Sequence, residues 1–97
     1  MRLTRSARKH GIAADDIRRV LAAPLRTVVQ GDVELHIGLT ARRDLVEVVA
    51  VPGDPVIVLH AMRLRPANYR HLRWPGQAGP GETTSFPRHW QQRELQS

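Results

Sequence analysis

Leu45-Val46-Glu47-Val48-Val49-Ala50-Val51, residues 45–51, is a run of seven with a single polar side chain and four valines. Valine is stiff at χ1 and packs well on a pleated surface, so the run reads as a strand. Because its apolar residues are nearly continuous rather than alternating, the strand should be central and covered on both faces for most of its length. Downstream, Pro52-Gly53-Asp54-Pro55 is a turn and Val56–Ala61 a second apolar run. Upstream, Val33–Gly38 alternates, with Val33, Leu35 and Ile37 on one side and Glu34 and His36 on the other. Leu39 to Asp44 connects it to the central run, and Gly31-Asp32 separates it from Leu25–Gln30. Connections this short join only antiparallel neighbours, so these segments imply a four-stranded antiparallel meander.

Helical signals flank the strands. Thr4 can cap a short helix over Arg5 to His10, which Gly11 ends in the left-handed conformation. A second helix fits Ala14 to Ala22, with Asp15 and Asp16 in the first turn and Ile17, Val20 and Leu21 as its buried stripe. Pro24 stops it. After the sheet, Pro66 suits the first position of a helix reaching Arg73, with Tyr69 and Leu72 inward and Arg65, Arg70 and Arg73 outward. From Pro75 to Ser97 the composition shifts to Pro, Gly, Gln, Ser and Thr, too poor in apolar residues to offset its ordering entropy. The expectation is one α+β domain over 1–74 and a flexible tail over 75–97, in which Phe86 and Trp90 stand out as residues able to dock on the domain or a partner.

Composition narrows the function classes. With no cysteine, disulfide scaffolds and thiolate metal sites are ruled out, which fits a reducing cytoplasm. The basic N-terminus has no apolar stretch behind it and no run approaches the ~20 residues needed to cross a bilayer, so a cytoplasmic protein away from the membrane is expected. The five histidines, at 10, 36, 60, 71 and 89, show no i, i+3 or i+4 pair on one element, and neither a metal nor another cofactor is expected. The net charge is +6, and its placement is uneven. Residues 1–30 carry +5 and residues 63–74 carry +4, whereas 31–62 carry −3. Such segregation favours a polyanion, through phosphate contacts and counterion release. An acidic protein would use the same feature, and an arginine-rich solvated surface with no partner at all would look alike.

Chemistry would have to come from the polar residues that interrupt the strands. Parity within a strand is firm, but parity between strands is open. If the polar positions share a face, Arg26, Glu34, His36, Glu47 and His60 form one patch, in which a carboxylate or imidazole could take a 2′-hydroxyl proton while Arg or Lys stabilised a phosphorane. A merely solvated face would carry the same residues.

Arg8-Lys9-His10-Gly11-Ile12, the acidic start of the next helix, Pro24-Leu25, the strand at 45–51 and Val56-Ile57-Val58-Leu59-His60-Ala61-Met62-Arg63 together resemble the BrnT-like toxins of bacterial toxin–antitoxin systems. The likeness is stronger still to a small actinobacterial group of toxins with a SARKHG opening and an I-H-A-x-x-L-R-P-x-x-Y segment, matched here by Leu59-His60-Ala61-Met62-Arg63-Leu64-Arg65-Pro66-Ala67-Asn68-Tyr69. It spans residues 5 to 72. The resemblance implies a RelE-like sheet with helices, a metal-independent ribonuclease that inhibits translation on RNA or the ribosome, and a cognate antitoxin as partner; whether the chain also forms a homo-oligomer is left open by the sequence. By position, Lys9 and His10 match the KHG element and Arg42 and Arg43 match a basic turn before the third strand. His60 replaces Ser, and Met62 replaces Arg, which moves the basic residue to Arg63. The candidate catalytic set is therefore His60, Glu47, Arg63 and Lys9, and the candidate nucleic-acid contacts are Arg5, Arg8, Lys9, Arg42, Arg43, Arg65, Arg70 and Arg73. The alternative is a non-catalytic nucleic-acid- or partner-binding module, a degenerate toxin, which the Met62 departure also fits.

Overall fold

In the computed structural model, which describes residues 1–72, the run at 45–51 is the middle strand of a five-stranded sheet. The elements in chain order are β1 (Arg2–Leu3), α1 (Arg5–Arg8), α2 (Ala14–Ala22), β2 (Arg26–Gln30), β3 (Val33–Leu39), β4 (Leu45–Val51), β5 (Ile57–Arg63) and a closing 3₁₀ helix over Pro66–Leu72. The sheet order is β1-β5-β4-β3-β2. The expected meander of β2 to β5 forms, but it is not the whole sheet. Arg2 and Leu3 add a fifth strand, parallel to β5 at Ile57 and Val58. The Arg2 N–H donates to Val56 O at 2.8 Å and the Thr4 N–H to Val58 O at 3.1 Å. Two residues are too short to show a period of two, so this strand left no pattern in the sequence.

Burial of β4 follows from its composition. Val46, Val48 and Ala50 pack with Val58 and Ala61 beneath Ala7 of α1 and Ile17 and Val20 of α2. On the other face Val49 packs with Val33, Leu35, Ile37, Leu59 and Leu64. Each such fully buried aliphatic contributes roughly 1.5–3 kcal/mol relative to exposure. α2 sits over β3 because Gly38 has no side chain. A Cβ built there would lie 3.1 Å from a Val20 methyl and 3.3 Å from the Val20 Cα.

The turns obey local chemistry. Gly31 takes φ +59°, the value required at the first central position of the two-residue hairpin between Gln30 and Val33. Between β3 and β4 the Thr40 hydroxyl accepts from the Arg42 and Asp44 N–H groups at 3.2 and 3.1 Å, and Arg43 adopts φ +66°. α1 is shorter than expected, ending at Arg8, with Thr4 as its cap and Gly11 at φ +72°.

The closing helix departs from expectation in its period. Tyr69 and Leu72 do not pack inward: they are 54% and 40% exposed, and Asn68 is the buried residue. With three residues per turn, positions 65 and 68 eclipse on one side while 69 and 72 stack on another, so a 3.6-residue reading assigns the wrong face. Arg73 and the tail at 75–97, with Phe86 and Trp90, lie outside the described residues. Among those described, no helix is long and apolar enough to cross a membrane.

Candidate functional site at the β5 bulge

The register between β4 and β5 slips once. Val49 pairs with His60 and Ala50 with Val58, so Leu59 is an extra residue and the strand bulges there. The bulge resets the alternation of β5. Ala61 therefore lies on the helix-covered face opposite Val48, while His60 is free to approach Glu47 from the neighbouring strand.

Glu47 is fully buried and His60 is 1% exposed. Five contacts converge on the carboxylate. Oε1 accepts from the Arg65 backbone N–H at 2.8 Å and from Asn68 Nδ2 at 3.2 Å. Oε2 accepts from His60 Nε2 at 3.0 Å and from Arg65 Nε at 3.0 Å, with Arg65 Nη2 at 2.8 Å. The 3₁₀ turn makes this convergence, because it eclipses Arg65 and Asn68 above the same side chain. Burial alone pushes the Glu47 carboxyl up, but the hydrogen bonds from His60, from the Arg65 side chain and backbone and from Asn68 outweigh it and hold it at about 2. His60 moves down from its ordinary value. Burial is the largest cause, Glu47 opposes it, and Arg65 and His10 add to it. The pair is therefore an ionised carboxylate and a neutral imidazole. A carboxylate only accepts, so the proton of His60 sits on Nε2 and leaves Nδ1 as an acceptor.

The other carboxylate–imidazole pair is elsewhere. Glu34 and His36 are opposite Ala50 and Val48, on the helix-covered face, whereas Glu47 is opposite Ile37 on the reverse face. The single patch of Arg26, Glu34, His36, Glu47 and His60 does not form. His36 contacts Glu34 at 3.3 Å and the Thr27 hydroxyl at 3.0 Å, and burial lowers its proton affinity against the pull of Glu34.

The candidate residues thus divide into groups. Glu47, His60 and Arg65 are brought together. Arg63 is not with them: its side chain is 79% exposed, 4.0 Å from Asp44, and helps line a shallow cleft of about 290 Å³ with Arg42, Asp16, Asp44 and Gly11. Two aspartates oppose the two arginines there, so the cleft is of mixed sign. Arg5, Arg8 and Lys9 are exposed on and just after α1, and Arg43 is exposed in the β3–β4 turn. Arg70 is half-buried on the closing helix. Two contributors were not in the candidate set. Asn68 was hidden by the helix period. His10, exposed at the end of α1, places its ring 5.8 Å from that of His60 in an edge-to-face arrangement at 73°, a contact between residues fifty positions apart that no spacing reveals. No group of three His, Asp or Glu side chains among the described residues is placed to hold a metal ion.

No family model, curated protein or solved structure matches this chain. What fold and site define is a small α+β domain with a buried Glu–His pair, bound by a partly exposed arginine, at a strand bulge beside a basic helix.

Proposed function

We propose that this protein binds RNA and cleaves it without a metal, acting as a toxin-like inhibitor of translation. The observation that carries the reading is the Glu47–His60–Arg65 network. An ionised carboxylate with a neutral imidazole and a guanidinium each held within 3.0 Å of it is costly to bury, and perturbed ionisable clusters of this kind concentrate at functional sites. The basic residues Arg5, Arg8 and Lys9 stand at the same edge of the sheet as His10 and supply phosphate contacts of the kind that dominate nucleic-acid affinity. Because Glu47 and His60 are closed to solvent, they act from behind, by holding and orienting groups that reach the surface. A positively charged toxin of this type is neutralised by an acidic partner, and a cognate antitoxin is part of the proposal.

A second reading has an observation of its own. The carboxylate accepts at every contact it makes, so the network is complete as a structural lock between β4, β5 and the closing helix. In that case the domain binds nucleic acid or a protein without cleaving. Incubating the purified protein with bacterial RNA and a chelator separates the two. Cleavage, with growth arrest on induction, supports the ribonuclease. Retarded but intact RNA and unimpaired growth support the binding module.

A further inference from the structure

We infer that His10 is the catalytic base of this site, the group that meets the RNA 2′-hydroxyl, with His60 and Glu47 as the positioning pair behind it. The inference rests on the ribonuclease reading and assigns its reacting group.

The geometry leads to His10 from three directions. First, the Glu47–His60 pair is sealed, and a proton cannot pass directly between a fully buried pair and a polynucleotide. Second, the exposed imidazole that touches it is His10, whose ring is seated edge-to-face on His60. Neutral His60 commits its Nε2 proton to Glu47, which fixes the ring against which His10 is seated. Third, the chain fixes this seat at both ends. The Thr4 hydroxyl accepts from the Ala7 N–H at 3.2 Å, capping α1, and donates to Leu59 O, also at 3.2 Å. Leu59 is the bulge residue that precedes His60. One hydroxyl therefore ties the helix that leads into the turn holding His10 to the backbone distortion that places His60. β1 covers the β5 edge only at Ile57 and Val58, so beyond that point α1 and His10 flank it instead of a strand.

The charged and titratable groups around this seat are Arg8 at the end of α1 and Lys9 just after it, His60 from β5, Glu47 from β4 and Arg65 from the turn after β5. In the step we assign, a neutral His10 nitrogen takes the proton of the 2′-hydroxyl. The 2′-oxygen bonds to phosphorus and the P–O5′ bond breaks. The leaving 5′-oxygen takes a proton from solvent, and His10 returns its own to solvent. The products are a 2′,3′-cyclic phosphate and a 5′-hydroxyl, with no net redox change. In this assignment Lys9, next to His10 in the chain, and Arg65, bound to Glu47, supply positive charge for the phosphorane.

The test uses the full chain, a random-sequence single-stranded RNA and a chelator. His10→Ala should lower the cleavage rate 10²- to 10⁴-fold, leave the melting temperature and RNA affinity unchanged, and regain activity on adding free imidazole. His60→Gln should shift the pH–rate profile while its products keep the cyclic phosphate ends. A 2′-deoxy oligonucleotide of the same sequence, bound but not cut, should move the His10 ring resonances in a ¹H–¹³C spectrum. Wild-type cleavage with an equally active His10→Ala would overturn the assignment and leave the ribonuclease standing. RNA left intact by the wild type would overturn the ribonuclease and the assignment with it.

Discussion

Glu47 occupies a position that the pattern of β4 reserves for an apolar side chain, and three other segments are shaped around it. Val46 and Val48 on either side of it are fully buried, so its charge survives only because donors reach it from β5, from the Arg65 backbone and side chain and from Asn68. Removing the charge while keeping the shape exposes that dependence. In Glu47→Gln the amide sets one N–H₂ group against donors that remain, and the Arg65 guanidinium loses its counter-charge. The expected cost is about 3–5 kcal/mol, to be read from urea unfolding at pH 7; a cost below about 1 kcal/mol would mean that the network contributes little to the fold. Glu47 and His60 were legible in the sequence as lone polar residues in apolar strands. Their meeting was not, because the bulge at Leu59 changes the parity of β5 without any turn residue to announce it. The same limit explains why Glu34 and His36, legible by the same rule, belong to the other face.

Elements show where local rules suffice. α2 has the bounds that its acidic first turn, its apolar stripe and the approach to Pro24 imply, and β4 is central as its valines demand. α2 also departs from the best local chemistry at its start, since Ala13 is extended and contributes no side-chain hydrogen bond to the first turn. Ala13→Ser should therefore stabilise the protein by about 0.5–2 kcal/mol, as new caps do, with the gain measured by thermal unfolding. Gly38 sets the opposite constraint. A methyl there meets the Val20 side chain and backbone at 3.1–3.3 Å, inside a core where Val20 is fully buried. Gly38→Ala should cost about 1–3 kcal/mol through overpacking, and Gly38→Ala with Val20→Ala should recover part of that in a double-mutant cycle. β1 and the closing 3₁₀ helix are the elements that local rules do not reach. One is too short for a pattern, and the other has a period that only tertiary contact with Glu47 selects.

For the whole molecule, the buried ionisable groups set the response to acid. His60 titrates below 6.5 in the folded state, so as pH falls through 6.5 the unfolded chain binds a proton that the folded one refuses, and stability declines from there. Glu47 adds to the decline at lower pH, between its ordinary 4.5 and about 2, and is worth roughly 3 kcal/mol. Both slopes have the same sign, and His36, also lowered by burial, adds one of that sign. The melting temperature should hold steady above pH 7 and fall monotonically to pH 3, with His60→Gln flattening the upper limb. A melting temperature that rises on acidification to pH 5 would contradict a neutral His60 beside an ionised Glu47. The division of charge between basic flanks and an acidic middle was fully legible, because counting needs no geometry; which basic residues lie near the network was not. Arg42 and Arg63 lie instead in a separate cleft of mixed sign. The bulge has one more consequence, for how this chain tolerates changes in length. Between Ile57 and His60 the strand carries one residue more than β4 does across the same span. Deleting Leu59 would restore a regular ladder with the same cross-strand partners and leave Ile57 and Val58 on their present faces, but it would remove a fully buried side chain and the carbonyl that receives the Thr4 hydroxyl.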